Sequence, residues 1–115
     1  MATLGELERS IMEELWATSD SLTAYDLLER MTDRKLAPTT MLTVLSRLEK
    51  KGFVARSREA RPHRYTAAAS REEHMADLMH EVLGGASDRT AVLERFVGQV
   101  SPEEAEALRR MLAGR

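Results

Sequence analysis

Residues Ala37 to Gly52 read APTTMLTVLSRLEKKG, and their spacing divides the stretch into two faces. Met41, Val44, Leu45 and Leu48 fall at i, i+3, i+4 and i+7, one apolar stripe of helical period, while Thr39, Thr43, Ser46, Arg47 and Lys50 fall opposite. Pro38 suits a first helical position, where its missing N–H would have had no partner anyway, and Gly52 suits the left-handed residue that closes a helix. The spacing therefore predicts a helix over 38–51. Its outer face carries short hydroxyls and cations, with a single acid, Glu49, near the edge. Thr and Ser are short enough for a helix to approach base edges, and Arg forks onto guanine or phosphate. Such a face is either an ordinary solvated surface or one that reads DNA, and charge along the rest of the chain separates the two.

The net charge of −2 conceals a division. Residues 34–65 hold nine cations against Glu49 and Glu59, a balance of +7, whereas residues 1–33 stand at −6 and residues 66–115 at −3. A basic middle between acidic flanks steers a polyanion to one side of the molecule. That favours the DNA-reading helix.

Upstream, Thr3 and Glu6 have the spacing of a capping box for a helix from about Leu4 to Ala17, whose inner face is Leu4, Leu7, Ile11, Met12, Leu15 and Trp16. Ser21 and Leu22 suit a short edge strand. Thr23 caps a second helix that turns Leu27, Leu28 and Met31 inward and fades by Asp33 to Lys35. Two helices joined by so brief a turn, the second bearing the hydroxyl and cationic face, form a helix-turn-helix pattern.

After Gly52 the pattern becomes extended. Phe53 to Arg58 and His63 to Ala67, separated by the turn-rich Glu59 to Pro62, read as a hairpin. Arg56, Arg58, Arg61 and Arg64, with His63, make it basic; charge that merely protects a strand edge would serve as well as Lys or Glu, so four Arg point to phosphate.

From Ser70 the chain is helical again. Ser70 and Glu73 form a capping box ahead of Met75, Leu78, Met79, Val82 and Leu83, and Gly84 with Gly85 ends that helix. A further helix spans Asp88 to Val97 with Val92, Leu93, Phe96 and Val97 apolar. The last starts at Ser101, with Pro102 first and Glu104 completing its box, and presents Ala105, Leu108, Met111 and Leu112. So much apolar surface in so short a segment is buried most simply against a second copy; the alternative is packing back onto the first domain. The expected division is a DNA-binding domain over 1–69 and a dimerisation domain over 70–115, mainly α with a small β wing.

Other chemistry finds little support. Glu73, His74, Asp77, His80 and Glu81 share one face and resemble a metal set, but the same positions must be polar if Met75, Leu78, Met79 and Val82 are buried, so a solvated face is the better reading. The chain has no Cys, no Gly-rich phosphate loop, no nucleophile motif and no HExxH. Neither an enzyme nor a cofactor or metal is expected. With no apolar run of signal or membrane length, the expectation is a soluble, cytoplasmic protein with no membrane partner.

Taken together, LGELERSIMEELW, APTTMLTVLSRLEKKG, PHRYTA and VLERFVGQVSPEEAEALRRML resemble the penicillinase-repressor family over nearly the whole chain. The resemblance implies a homodimeric winged-helix repressor on a palindromic double-stranded operator, released when a membrane sensor's signal leads to proteolysis in the C-terminal part. It implies DNA contacts from Thr39, Thr40, Thr43 and Arg47, with the wing around Arg61 and His63 on the backbone. A dimer through the last three helices follows too. The cleavage locus falls at Arg95 and Phe96, where the family pattern has Asn before the Phe, and the Cys-rich tail of the copper-responsive branch is missing. The expected DNA set is therefore Thr39, Thr40, Thr43, Ser46, Arg47, Lys50, Arg58, Arg61 and His63. The expected dimer set is Met75, Leu78, Met79, Val82, Leu93, Phe96, Val97, Leu108, Met111 and Leu112. Two rivals stand beside this reading: a winged-helix module for an acidic protein partner, and a regulator that senses a small ligand directly.

Overall fold

Local capping sets where most of the helices begin. The computed structural model describes residues 4–115. The expected cap Thr3 lies outside the described residues. The first helix, α1 (Glu6–Trp16), starts later than predicted, with Gly5 as its extended N-cap, whose N–H donates to Glu8 Oε1 at 2.8 Å. Strand β1 (Leu22–Thr23) runs straight into α2 (Ala24–Arg30). Thr23 serves both, because its Oγ1 accepts from the Asp26 N–H at 3.0 Å while Asp26 Oδ2 accepts from the Thr23 N–H at 2.9 Å. That backbone N–H holds the Asp26 carboxyl below its ordinary range.

Helix α3 (Pro38–Lys51) has the predicted limits. Gly52 closes it at φ 86°, and this left-handed residue lets the Phe53 N–H reach Leu48 O and its own N–H reach Glu49 O, both at 3.0 Å. The chain then forms β2 (Val54–Ser57) and β3 (Arg64–Ala67), joined through a cis Arg61–Pro62 peptide. Both strands are shorter than the predicted runs. The sheet order is β1-β3-β2, all antiparallel, with Leu22 and Arg56 each opposite Tyr65. Alternation along the strands turns Val54 and Tyr65 inward.

The core joins Ile11, Met12 and Leu15 of α1 to Leu27 and Met31, to the whole predicted stripe Met41, Val44, Leu45 and Leu48, and to Leu22, Val54 and Tyr65. One carboxylate is buried beside it. Glu8 accepts from Lys51 Nζ at 2.8 and 2.9 Å, tying the start of α1 to the end of α3. Burial pushes its carboxyl up, but the Lys51 ammonium and the Gly5 N–H outweigh that and hold it below its ordinary value.

Helix α4 (Arg71–Gly84) is capped by Ser70 and Glu73 as predicted. Its first turns belong to a compact unit that ends at Ala76. There Trp16 Nε1 donates to Ala69 O at 2.9 Å, and Arg71 pairs with Glu13 at 2.8 Å while lying over the Trp16 ring. His74, predicted on a solvated polar face, is buried instead, its ring 5.5 Å from Trp16 and 5.2 Å from Phe53. The aromatic pair decides that His74, and not its apolar neighbour Met75, faces inward in the first turns of α4.

A second unit covers Asp77–Arg115. It holds the rest of α4, then α5 (Arg89–Val97), capped by Asp88, and α6 (Pro102–Ala113), capped by Ser101 and Glu104. Among its described residues none is buried. These helices have formed without a core of their own.

Candidate nucleic-acid interface

Because α3 buries one stripe completely, its remaining residues are forced outward on a rigid rod. Thr39, Thr40, Thr43, Arg47 and Lys50 are all exposed, and Ser46 is half-buried. Thr39, Thr40, Thr43 and Arg47 come together around a shallow hollow of about 190 Å³ along one flank. Thr43 Oγ1 donates its proton to Thr39 O at 2.8 Å, so its lone pairs and methyl group are what it offers outward. An acceptor and a methyl at a base-pair edge fit an exposed amino group and a thymine methyl. Lys50 and Lys51 lie in the last turn, where cations also complement the helix dipole.

The other flank of α3 meets the wing, and here the arginines differ in their engagements. Arg56 reaches inward, pairing with Glu49 at 3.1 Å, donating to Ser46 Oγ at 3.1 Å and lying 5.2 Å over the Tyr65 ring. Arg58 pairs with the same Glu49 at 3.0 Å. Arg64 is bound to Ser21, through its hydroxyl at 2.7 Å and its carbonyl at 2.8 Å. Arg61, at the wing tip, is exposed and makes no ion pair among the described residues, and His63 is half-buried beside it. Glu49, the sole acid of α3's outer side, is thus neutralised by two wing arginines. The face loses its one repulsive charge for a phosphate.

Three residues at this surface were not among those expected from the sequence. Arg56, one of the four hairpin arginines but outside the expected DNA set, is turned inward by the same period of two that turns Val54 inward. Leu42 is 47% and Tyr25 68% exposed, large apolar groups in full view beside the cationic side chains. Leu42 was legible as an anomaly, an apolar residue off the buried stripe. Tyr25 carried no sequence signal beyond its position just after the Thr23 cap.

Among the described residues, no His, Asp or Glu group has the arrangement of a metal site, and no helix is long and apolar enough to cross a membrane. The dimer set is displayed rather than packed: Met75, Met79, Val82, Leu93, Phe96, Val97, Met111 and Leu112 are exposed, while Leu78 and Leu108 are half-buried.

Comparison with known proteins agrees with this architecture. The penicillinase repressor family profile matches residues 4–114. The transcriptional regulator BlaI of Mycobacterium tuberculosis is 43% identical over 117 residues, covering 98% of this chain and 85% of that protein. Among solved structures, a MarR family protein from Bacillus stearothermophilus superposes with a TM-score of 0.53 at 21% identity, over 98% of this chain and 73% of its own. The complex structure of hsRosR-S1 gives 0.51 at 19% identity, over 91% of this chain and 95% of that one. At those identities the two structures speak for the winged-helix fold alone. The family match and the extent of identity to a regulator, not an enzyme, carry more: this chain belongs to the penicillinase-repressor family of transcriptional regulators.

Proposed function

We propose that the protein is a soluble, cytoplasmic repressor that binds a palindromic operator as a homodimer, α3 in the major groove and the wing on the backbone. One observation carries this reading. The outward line of α3 presents Thr39, Thr43, Arg47 and Lys50, while Glu49, its only acid, is held by Arg56 and Arg58. Hydroxyls and a forked cation on a helix fixed by its buried stripe suit base-edge contact, and Arg61 and His63 suit phosphate. The apolar faces of α4, α5 and α6 form the dimer, which sets two recognition helices about one helical turn apart, roughly 34–36 Å, or a multiple of that. A protease cutting near Arg95 and Phe96 would sever α5 and with it the dimer, so induction by proteolysis is compatible with the design.

Footprinting genomic fragments with the purified protein, beginning upstream of its own gene, tests the proposal. Two protected half-sites related by a dyad are expected. Protection without two-fold symmetry, or none on any fragment, would overturn it.

A further inference from the structure

A second hollow, of about 520 Å³, lies between α2, α3 and the wing, within the compact unit that ends at Ala76. Its size is that of small-molecule sites, which run roughly 300–1,000 Å³ and combine apolar walls with a few convergent polar groups. The walls here are Tyr25, Leu28, Leu42 and Pro62, and the polar groups are Ser46, Arg56, Arg61 and His63. No carboxylate lines it; Glu49 is turned to Arg56 and Arg58. Arg56 carries a further signal. Its Nη2 is engaged by Glu49 and Ser46, but its Nε is buried with no hydrogen-bond partner among the described residues. A buried donor without an acceptor is unfavourable, and an incoming oxygen would relieve it.

We propose that this hollow binds a small aromatic or apolar carboxylate, and that its occupancy competes with DNA. The walls select the occupant: a bare phosphate would leave Tyr25, Leu28 and Leu42 uncovered, whereas a ring bearing one carboxylate covers them and places an oxygen by Arg56. Competition follows from position. Ser46, Arg61 and His63 line the hollow and also belong to the proposed DNA surface, so ligand and duplex need the same groups. The competition rests on the DNA-binding reading; ligand binding does not.

The probe is 2-naphthoate, titrated into the full-length ¹⁵N-labelled protein. Shift changes are expected at Tyr25, Leu42, Ser46, Arg56 and Tyr65, with a Kd of about a millimolar or tighter, the range open to so small a ligand. The uncharged 2-naphthamide should bind about fivefold more weakly or worse, a difference that Arg56→Gln removes. Leu42→Trp, at a position 47% exposed and outside the core, should occlude the hollow and weaken naphthoate. Naphthoate at about nine times its Kd should then raise the apparent Kd for an operator duplex about tenfold. Three results each overturn the inference. They are no binding or shifts confined to the stripe of Met79 and Val82; equal effects from inorganic phosphate, which would make the hollow a backbone seat; and naphthoate binding with no effect on duplex affinity. If no duplex binds at all, the DNA reading has failed, and the naphthoate titration still decides whether the hollow is a site.

Discussion

Arg47 and Arg58 occupy opposite flanks of α3 but differ in what holds them. Arg58 shares Glu49 with Arg56, whereas Arg47 stands exposed beside Thr39, Thr40 and Thr43 with no ion pair among the described residues. An arginine left unengaged among short hydroxyls is the one placed to fork onto a guanine. Arg47→Ala is therefore expected to weaken operator binding by about 1–3 kcal/mol and to relax preference at one base pair, read by titrating operator and random duplexes side by side. Equal weakening on both would reduce Arg47 to a phosphate contact. Glu8 works on stability instead. Its carboxyl titrates below the ordinary Glu value when folded, so its contribution is fully present above the unfolded pKa of about 4.3 and is lost as pH falls through the lower folded value. Glu8→Gln should cost roughly 1–3 kcal/mol at pH 7, the scale of hydrogen bonds to a charged group. In thermal melts the gap between variant and parent should close as pH drops below about 4; a gap that persists at pH 2 would mean that the side chain acts by packing and not by charge.

At the scale of the element, the wing divides its four arginines unequally. Arg56 and Arg64 brace the fold, Arg58 is shared with Glu49, and Arg61 is left at the tip, so the hairpin leaves less charge unengaged than its composition suggests. Replacing Arg61 should flatten the slope of log K against log salt by roughly one unit, the effect of one lost phosphate contact. Arg58→Ala should change the slope less, because Arg58 is already engaged by Glu49, and Arg56 still pairs with that carboxylate when Arg58 is gone. If Arg58 proves the stronger of the two, its ion pair with Glu49 does not persist on DNA. The same contrast explains what was legible in the sequence. Helix α3 could be bounded to the residue because Pro38 and Gly52 act locally and its stripe repeats cleanly. The start of α2 at Thr23 was equally local. What could not be read was set by pairing at a distance: Arg56 meets Ser46 and Glu49 only because the hairpin register lays β2 beside α3. His74 was misread for a related reason. Periodicity along α4 identifies its apolar line, but Trp16 and Phe53, from far away in sequence, decide that His74 faces them.

For the molecule as a whole, the two compact units have very different means of standing alone. The first carries a core of twelve buried apolar residues among those described and binds the start of α4 through Trp16, His74 and Arg71. The second has the apolar surface of α5, α6 and the rest of α4 and no buried residue among those described, Val82 being 76% and Leu112 65% exposed. Surface of that kind persists in water only if something covers it, and a second copy supplies a matching face by symmetry. A chain ending at Ala76 keeps the His74 contact and should fold, yet sediment as a monomer where the full chain should sediment as a dimer. Its affinity for a whole operator should fall by roughly a hundredfold to ten-thousandfold, because two joined domains bind the second half-site at high effective concentration while a single domain gains nothing from it. Affinity for an isolated half-site should barely change, since the α3 surface and the wing are intact. A cut between Arg95 and Phe96 should give the same pattern, connecting proteolysis to derepression through loss of avidity and not through damage to the DNA surface. Sedimentation of both chains, with titrations against whole and half operators, separates these outcomes. A truncated chain that binds the whole operator as tightly as the intact protein would show that pairing through α4, α5 and α6 contributes nothing to repression.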